Sequence, residues 1–134
     1  MAKLTTIEGI GESLAKKLKG GGIGSTNRLL EKGATKKGRM EISQLTGIDE
    51  KRVLKFVNHA DLMRVKGIGG EYAEILEAAG VDSVPELSRR NPANLAAAMA
   101  DVNASKKLVR AVPTEKRVAD WVQQAGVFER IVKH

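Results

Sequence analysis

The chain contains a duplicated segment, and this duplication restricts its possible folds more than any other feature of the sequence. At an offset of 58 residues, IEGIGESLAKKLKGGGIGSTNRLL lies over VKGIGGEYAEILEAAGVDSVPEL. A later stretch, DEKRVLKFVNHA, matches TEKRVADWVQQA at an offset of 65. Because a duplicated unit is one supersecondary structure used twice, the alignment predicts two similar halves, with about seven extra residues between Asn91 and Val112.

Helical periodicity runs through both halves and predicts an all-α protein. Apolar residues recur three or four positions apart, and Gly-Ile or Gly-Val pairs separate the periodic segments. Asp49, Ser83 and Thr114 stand where helix N-caps are expected. The predicted helices lie near 12–19, 26–32, 39–45, 49–63, 70–79, 83–90, 92–100, 104–111 and 114–125. Phe56 and Trp121 occupy equivalent positions in the alignment and are expected in the core.

Charge differs between the halves. The net charge is +7, and residues 1–60 hold twelve Lys or Arg against six Asp or Glu, whereas residues 61–134 hold eleven against ten. We therefore predict a basic first repeat at 1–64 and a near-neutral second repeat at 65–134, packed together as one compact unit. The segment 71–86 carries five acidic residues and no basic one, so its surface would repel a polyanion.

Each half contains a Gly-Ile-Gly turn, and these turns are the best candidates for binding phosphate. They consist of Gly9, Ile10 and Gly11 in the first half and of Gly67, Ile68 and Gly69 in the second. Two glycines remove side chains from a turn, so that a phosphate oxygen can approach the backbone N–H groups of the next helix, favoured by the helix dipole. The two isoleucines are expected to anchor the turns in the core. Alternatively, the turns only join helices.

Basic residues distinguish the two turns. The candidate phosphate contacts of the first half are Lys16, Lys17 and Lys19 after the turn, together with Lys36, Lys37 and Arg39 in EKGATKKGRME. The segment EKGATKKGRME is expected to be either an exposed, mobile loop or a basic arm that adds phosphate contacts. In the second half, the only cation expected near the turn is Lys66, because the residues that follow include Glu71, Glu74 and Glu77. The sequence thus favours the first turn as the phosphate site.

The chain resembles one known structural motif and one known protein family. IEGIG followed by ESLAKKL, and VKGIG followed by GEYAEIL, resemble the helix-hairpin-helix motif. From Ile7 to Gln124 the chain also resembles an uncharacterised bacterial family, domain of unknown function 4332, through EKGATKKGRMEIS, LTGIDEKRVLKFVNHADLM and KKLVRAVPTEKRVADWV. The resemblances imply a SAM/helix-hairpin-helix-like fold of two pseudo-repeated bundles, and nucleic-acid binding by the turns.

Several function classes find no support in the sequence. Cysteine is absent, His59 and His134 lie in no metal-ligand pattern, and the acidic residues form no convergent set, so we expect no metal site, no cofactor and no enzyme activity. GGGIGSTN lacks the Gly-Lys-Ser/Thr ending of a phosphate loop and is interpreted as a helix connection. Four aromatic residues are too few for a base-stacking surface. Without a membrane-spanning run or signal peptide, the protein is expected to be cytoplasmic.

The leading hypothesis is therefore binding of a nucleic-acid backbone, DNA in preference to RNA, without base readout and in an accessory or architectural role. The alternative is a scaffold or adaptor that docks a protein partner or a second copy of itself and binds no nucleic acid.

Overall fold

A computed structural model describes residues 3–133, and the regular secondary structure of this part of the chain is entirely helical, without a β-strand. Met1, Ala2 and His134 lie outside the described residues. The expectations for the extreme N-terminus and for the second histidine therefore lie outside them too. A short 3₁₀ helix at Leu4–Thr6 precedes α1 (Glu12–Gly20), α2 (Thr26–Lys32), α3 (Lys36–Thr46), α4 (Glu50–Leu62), α5 (Gly70–Ala78), α6 (Val84–Ser88), α7 (Pro92–Lys106) and α8 (Glu115–Ala125).

The described residues form two compact units, one comprising 3–61 with 131–133 and the other Leu62–Arg130. In the first unit, α3 contacts both α1 and α2. The core of this unit consists of aliphatic side chains around Phe56, which is 3% exposed. The end of the chain belongs to this unit: Val132 is buried, and the Lys133 N–H donates to the Ala34 carbonyl at 2.8 Å.

The second unit is built from α5 to α8. Helix α8 packs on α6 and α7, and α7 also contacts α5. Trp121 of α8 is 1% exposed among aliphatic side chains such as Leu76, Leu87 and Leu95. The expectation that Phe56 and Trp121 are core residues is thus confirmed.

Short-range sequence signals explain most helix ends. The predicted N-caps are confirmed, since the side chains of Asp49, Ser83 and Thr114 accept bonds from the first-turn N–H groups of α4, α6 and α8. Helix α1 ends in a Schellman arrangement: Gly22 has φ +87°, and the Ile23 N–H donates to the Leu18 carbonyl at 2.9 Å. GGGIGSTN is therefore a helix connection, as expected.

The separate helix predicted at 104–111 is wrong, because α7 continues without interruption from Pro92 to Lys106. No glycine or proline occurs within this helix after Pro92 to end it earlier. It ends at Lys107, which adopts φ 51° and whose N–H donates to the Asn103 carbonyl at 2.9 Å. The Asn103 side chain then accepts the Val109 N–H at 3.0 Å and fixes the non-helical segment that follows.

Candidate nucleic-acid interface

The two Gly-Ile-Gly turns have the same backbone geometry. Gly9 has φ +97° and Gly67 has φ +101°, a region that L side chains rarely adopt. The N–H of Ile10 donates to the Ile7 carbonyl, and that of Ile68 to the Val65 carbonyl, each at 3.1 Å. Both central isoleucines are buried, which confirms the expectation that they anchor the turns in the core.

An aromatic ring lies directly against the first glycine of each turn. A β-carbon built on Gly9 would lie 3.0 Å from Phe56 Cε1, and one built on Gly67 would lie 2.9 Å from Trp121 Nε1. Only glycine therefore lets the turn approach the last helix of its bundle so closely. The aligned halves thus share a packing arrangement as well as a sequence pattern.

An arginine covers each of these rings. The Arg52 guanidinium lies 5.3 Å from the Phe56 ring centroid, and that of Arg117 lies 5.8 Å from the centroid of Trp121. Arg52 also donates to the Gly9 carbonyl at 3.4 Å, so its exposed cation stands at the edge of the first turn. Arg52 lies 43 residues from Gly9 along the chain, so the tertiary fold brings them together.

The helices that follow the two turns differ from the other described helices at their N-termini. α1 begins after Gly11 and α5 after Gly69, and neither cap residue can offer a side-chain acceptor. In contrast, a Ser, Thr, Asn or Asp side chain caps α2, α3, α4, α6, α7 and α8. The first-turn N–H groups of α1 and α5 thus point outward without a side-chain partner.

In α1 these groups lie on exposed backbone. The first helical bond is donated by Ala15 to the Gly11 carbonyl at 2.9 Å, so the N–H groups of Glu12, Ser13 and Leu14 precede the helical hydrogen-bond ladder. Gly11, Glu12 and Ser13 are exposed. A β-carbon on Gly11 would meet no atom within 4 Å, which leaves open space in front of the turn.

A basic groove of about 360 Å³ adjoins this turn, between the 3₁₀ helix and α1. Lys16 and Lys19 line it from α1, one helical turn apart, and Lys3 lines it from the opposite side. The structure thus brings two of the three predicted α1 lysines together and adds Lys3, which sequence reasoning missed. Lys17 is exposed but does not line this groove.

The segment predicted as a mobile loop or arm is largely helical, because Thr35 caps α3 and the helix begins at Lys36. Lys36 and Lys37 are exposed in its first turn, and Lys36 lines a second groove, of about 290 Å³, together with Lys51. The grooves that contain Lys36 and Lys16 are separate, so the structure does not gather the predicted cations into one site.

Arg39, the remaining predicted phosphate contact of this segment, lines the same groove as Lys36 but differs from the exposed lysines in its environment. Its side chain is buried, and its guanidinium donates at 2.8 Å to the carbonyl oxygens of Gly33 and Lys133. Burial lowers the pKa of this guanidinium, and the Glu50 carboxylate partly offsets the effect. Arg39 is therefore a structural residue that attaches the end of the chain to the first unit.

The second turn is held by side chains of α8. The Gln124 amide accepts the Lys66 N–H at 2.9 Å and donates to the Lys66 carbonyl at 3.1 Å. Lys66, the only cation expected near this turn, is exposed, but a second cation also lies near the turn. Arg117, which lies over Trp121, also approaches the Tyr72 ring at 5.1 Å and donates to its hydroxyl at 3.3 Å. This cation is therefore already engaged with its own unit.

Among residues 3–133, no group of three or more His, Asp or Glu side chains is placed to hold a metal ion. Within the same range, no helix combines the length and apolarity needed to cross a membrane.

These features define the chain as an all-helical protein with paired glycine turns, each packed against an aromatic ring that an arginine covers. The model of the family described as Domain of unknown function (DUF4332) matches residues 8–127. The chain therefore belongs to this family. No curated protein and no solved structure matches it.

Proposed function

We propose that the protein binds the phosphate backbone of nucleic acid, DNA in preference to RNA, through the first Gly-Ile-Gly turn. The observation that carries this proposal is the uncapped N-terminus of α1, which stands beside a groove lined by three lysines. Free N–H groups and the helix dipole favour an anion at this position, and the lysines add charge without selecting a base. In this proposal the turn is of the helix-hairpin-helix kind, the role is accessory or architectural, and no reaction is catalysed.

The two turns are not equivalent in this proposal. Each of the following helices has an acidic residue in its first turn, Glu12 in α1 and Glu71 in α5. Lys16, Lys17 and Lys19 offset this charge in α1, whereas α5 contains no basic residue. Arg117, which lies near the second turn, is engaged with Tyr72 and Trp121. The second turn therefore serves mainly to join helices in the near-neutral unit.

Fluorescence anisotropy with labelled duplex DNA, single-stranded DNA and RNA at rising salt tests the proposal. We expect binding at low ionic strength that weakens linearly on a log–log plot against salt, with no dependence on base sequence. Absence of salt-dependent binding to all three probes would refute it and favour the scaffold alternative.

A charge-reversal pair separates a site from general attraction. Lys16→Glu with Lys17→Glu should weaken DNA binding far more than Lys106→Glu with Lys107→Glu, although each pair changes the net charge equally. All four lysines are exposed, so neither pair disturbs the core. Equal losses in the two double variants would contradict a localised site at the first turn.

A further inference from the structure

The groove beside the first turn has a composition suited to one class of ligand. Its cations, Lys3, Lys16 and Lys19, come from two different elements. The largely buried Leu4 and the half-buried Ala15 also line the groove and make its floor apolar. A lysine rim around an apolar floor matches a sugar-phosphate unit, since the phosphate is anionic and the sugar carries C–H groups.

The position of Lys3 is fixed by local hydrogen bonds. Its carbonyl accepts the Thr6 N–H at 3.0 Å and the Thr6 hydroxyl at 2.6 Å, and the neighbouring Leu4 is 4% exposed in the core. The backbone at Lys3 is thereby held next to α1, while its exposed side chain is free to reach the ligand.

The groove and the turn are continuous along α1. Glu12 lines the groove and is also the first residue of the helix, directly after Gly11. A strand that places one phosphate at the turn can therefore place a neighbouring phosphate among the lysines. Glu12 is the acidic residue among the groove's lining side chains, and its carboxylate opposes that phosphate.

From this arrangement we infer that the groove formed by Lys3, Lys16 and Lys19 is the second phosphate subsite of the first turn, and that it holds the sugar-phosphate backbone of the same strand. This inference rests on the proposed function and deepens it. The turn and the groove both contribute to the affinity for phosphate, and the Glu12 carboxylate lowers the affinity of the groove.

Two triple variants test the inference in the full-length protein with a labelled DNA duplex. Lys3→Gln, Lys16→Gln and Lys19→Gln together should weaken binding at least about tenfold and make the log–log salt dependence shallower by about one to two units. The matched control removes three charges outside the groove, at Lys106, Lys107 and Lys116, all of them exposed. It should weaken binding less than about threefold, the effect of general charge alone.

Removal of a negative charge from the groove completes the test. Glu12→Gln should tighten binding about two- to fivefold, because it removes a like charge from the phosphate subsite. Glu31→Gln makes the same charge change at an exposed side chain of α2 and should leave affinity nearly unchanged. Circular dichroism and thermal unfolding of each variant confirm that its fold is intact.

The possible failures are distinguishable. If the wild-type protein binds none of the nucleic acids, the proposed function and the inference fall together. If it binds, but the two triple variants lose affinity equally or Glu12→Gln behaves as Glu31→Gln does, the groove is not a subsite and the proposed function stands.

Discussion

The glycine that begins the second turn should be irreplaceable for stability. In Gly67→Ala, an L residue must adopt φ near +101°, which costs about 1–3 kcal/mol. Its β-carbon would lie 2.9 Å from Nε1 of the buried Trp121, and relieving that contact adds about 1 kcal/mol. Because alanine restricts the unfolded chain more than glycine does, the substitution also stabilises the folded state by about 0.4–1 kcal/mol. The net expected loss in the free energy of unfolding is about 1–4 kcal/mol.

Urea denaturation followed by tryptophan fluorescence measures this loss directly, because Trp121 is the single tryptophan and lies at the altered contact. Gly69→Ala is the matched control. Gly69 has φ −98°, and a β-carbon there meets no atom within 4 Å. Its stability should stay within about 0.5 kcal/mol of wild type, since the entropy gain and the slightly poorer N-cap oppose each other. The reasoning is refuted if Gly67→Ala is as stable as wild type, or if both variants are destabilised equally.

Two further predictions concern the first unit. Arg39→Met should lower the free energy of unfolding by about 2–4 kcal/mol, because it leaves the buried Gly33 carbonyl and the partly buried Lys133 hydrogen bond without their donor. The exposed Lys37→Ala should change the free energy of unfolding by less than about 0.5 kcal/mol. Equal effects of the two variants in urea denaturation would contradict the structural role of Arg39. The hydrogen bond and charge of Lys32 lower the pKa of the Glu41 carboxyl, so this interaction stabilises the fold at neutral pH and is lost as pH falls through the lowered pKa. The melting temperatures of wild type and Glu41→Gln should therefore converge in acid, and a difference that persists unchanged at low pH would contradict this contribution.

Local signals in the sequence were sufficient where a few neighbouring residues decide the structure. Ser83 before α6 and Gly22 after α1 act within one helical turn, so their roles follow from spacing alone. The extra break predicted within α7 had no such residue to support it. Its failure shows that the length difference between the halves is accommodated by a longer helix and a non-helical segment after Lys107.

The composition of the candidate site depended on contacts between distant residues. Arg39 looked like an exposed cation in a basic run, yet one of its acceptors lies 94 residues away on Lys133. Arg52 reaches the Gly9 carbonyl across 43 residues. A pattern of charges along the chain cannot distinguish a buried arginine from an exposed one, because burial is decided by tertiary packing. For the same reason the sequence grouped Lys17 with Lys16 and Lys19, although the helix places only the last two in the groove.

The central claim is that the free N–H groups of α1 bind phosphate, and a pair of matched cap variants tests it most directly. Gly11→Asp and Gly69→Asp each supply a side-chain cap to an uncapped helix and each add one negative charge. Both glycines have extended backbone with open space for a β-carbon, so both variants should be as stable as wild type or more stable by roughly a few tenths of a kcal/mol. We predict that only Gly11→Asp weakens binding of duplex DNA, by about tenfold, because its carboxylate occupies the N–H groups that phosphate requires. Equal affinities of the two variants would contradict the account.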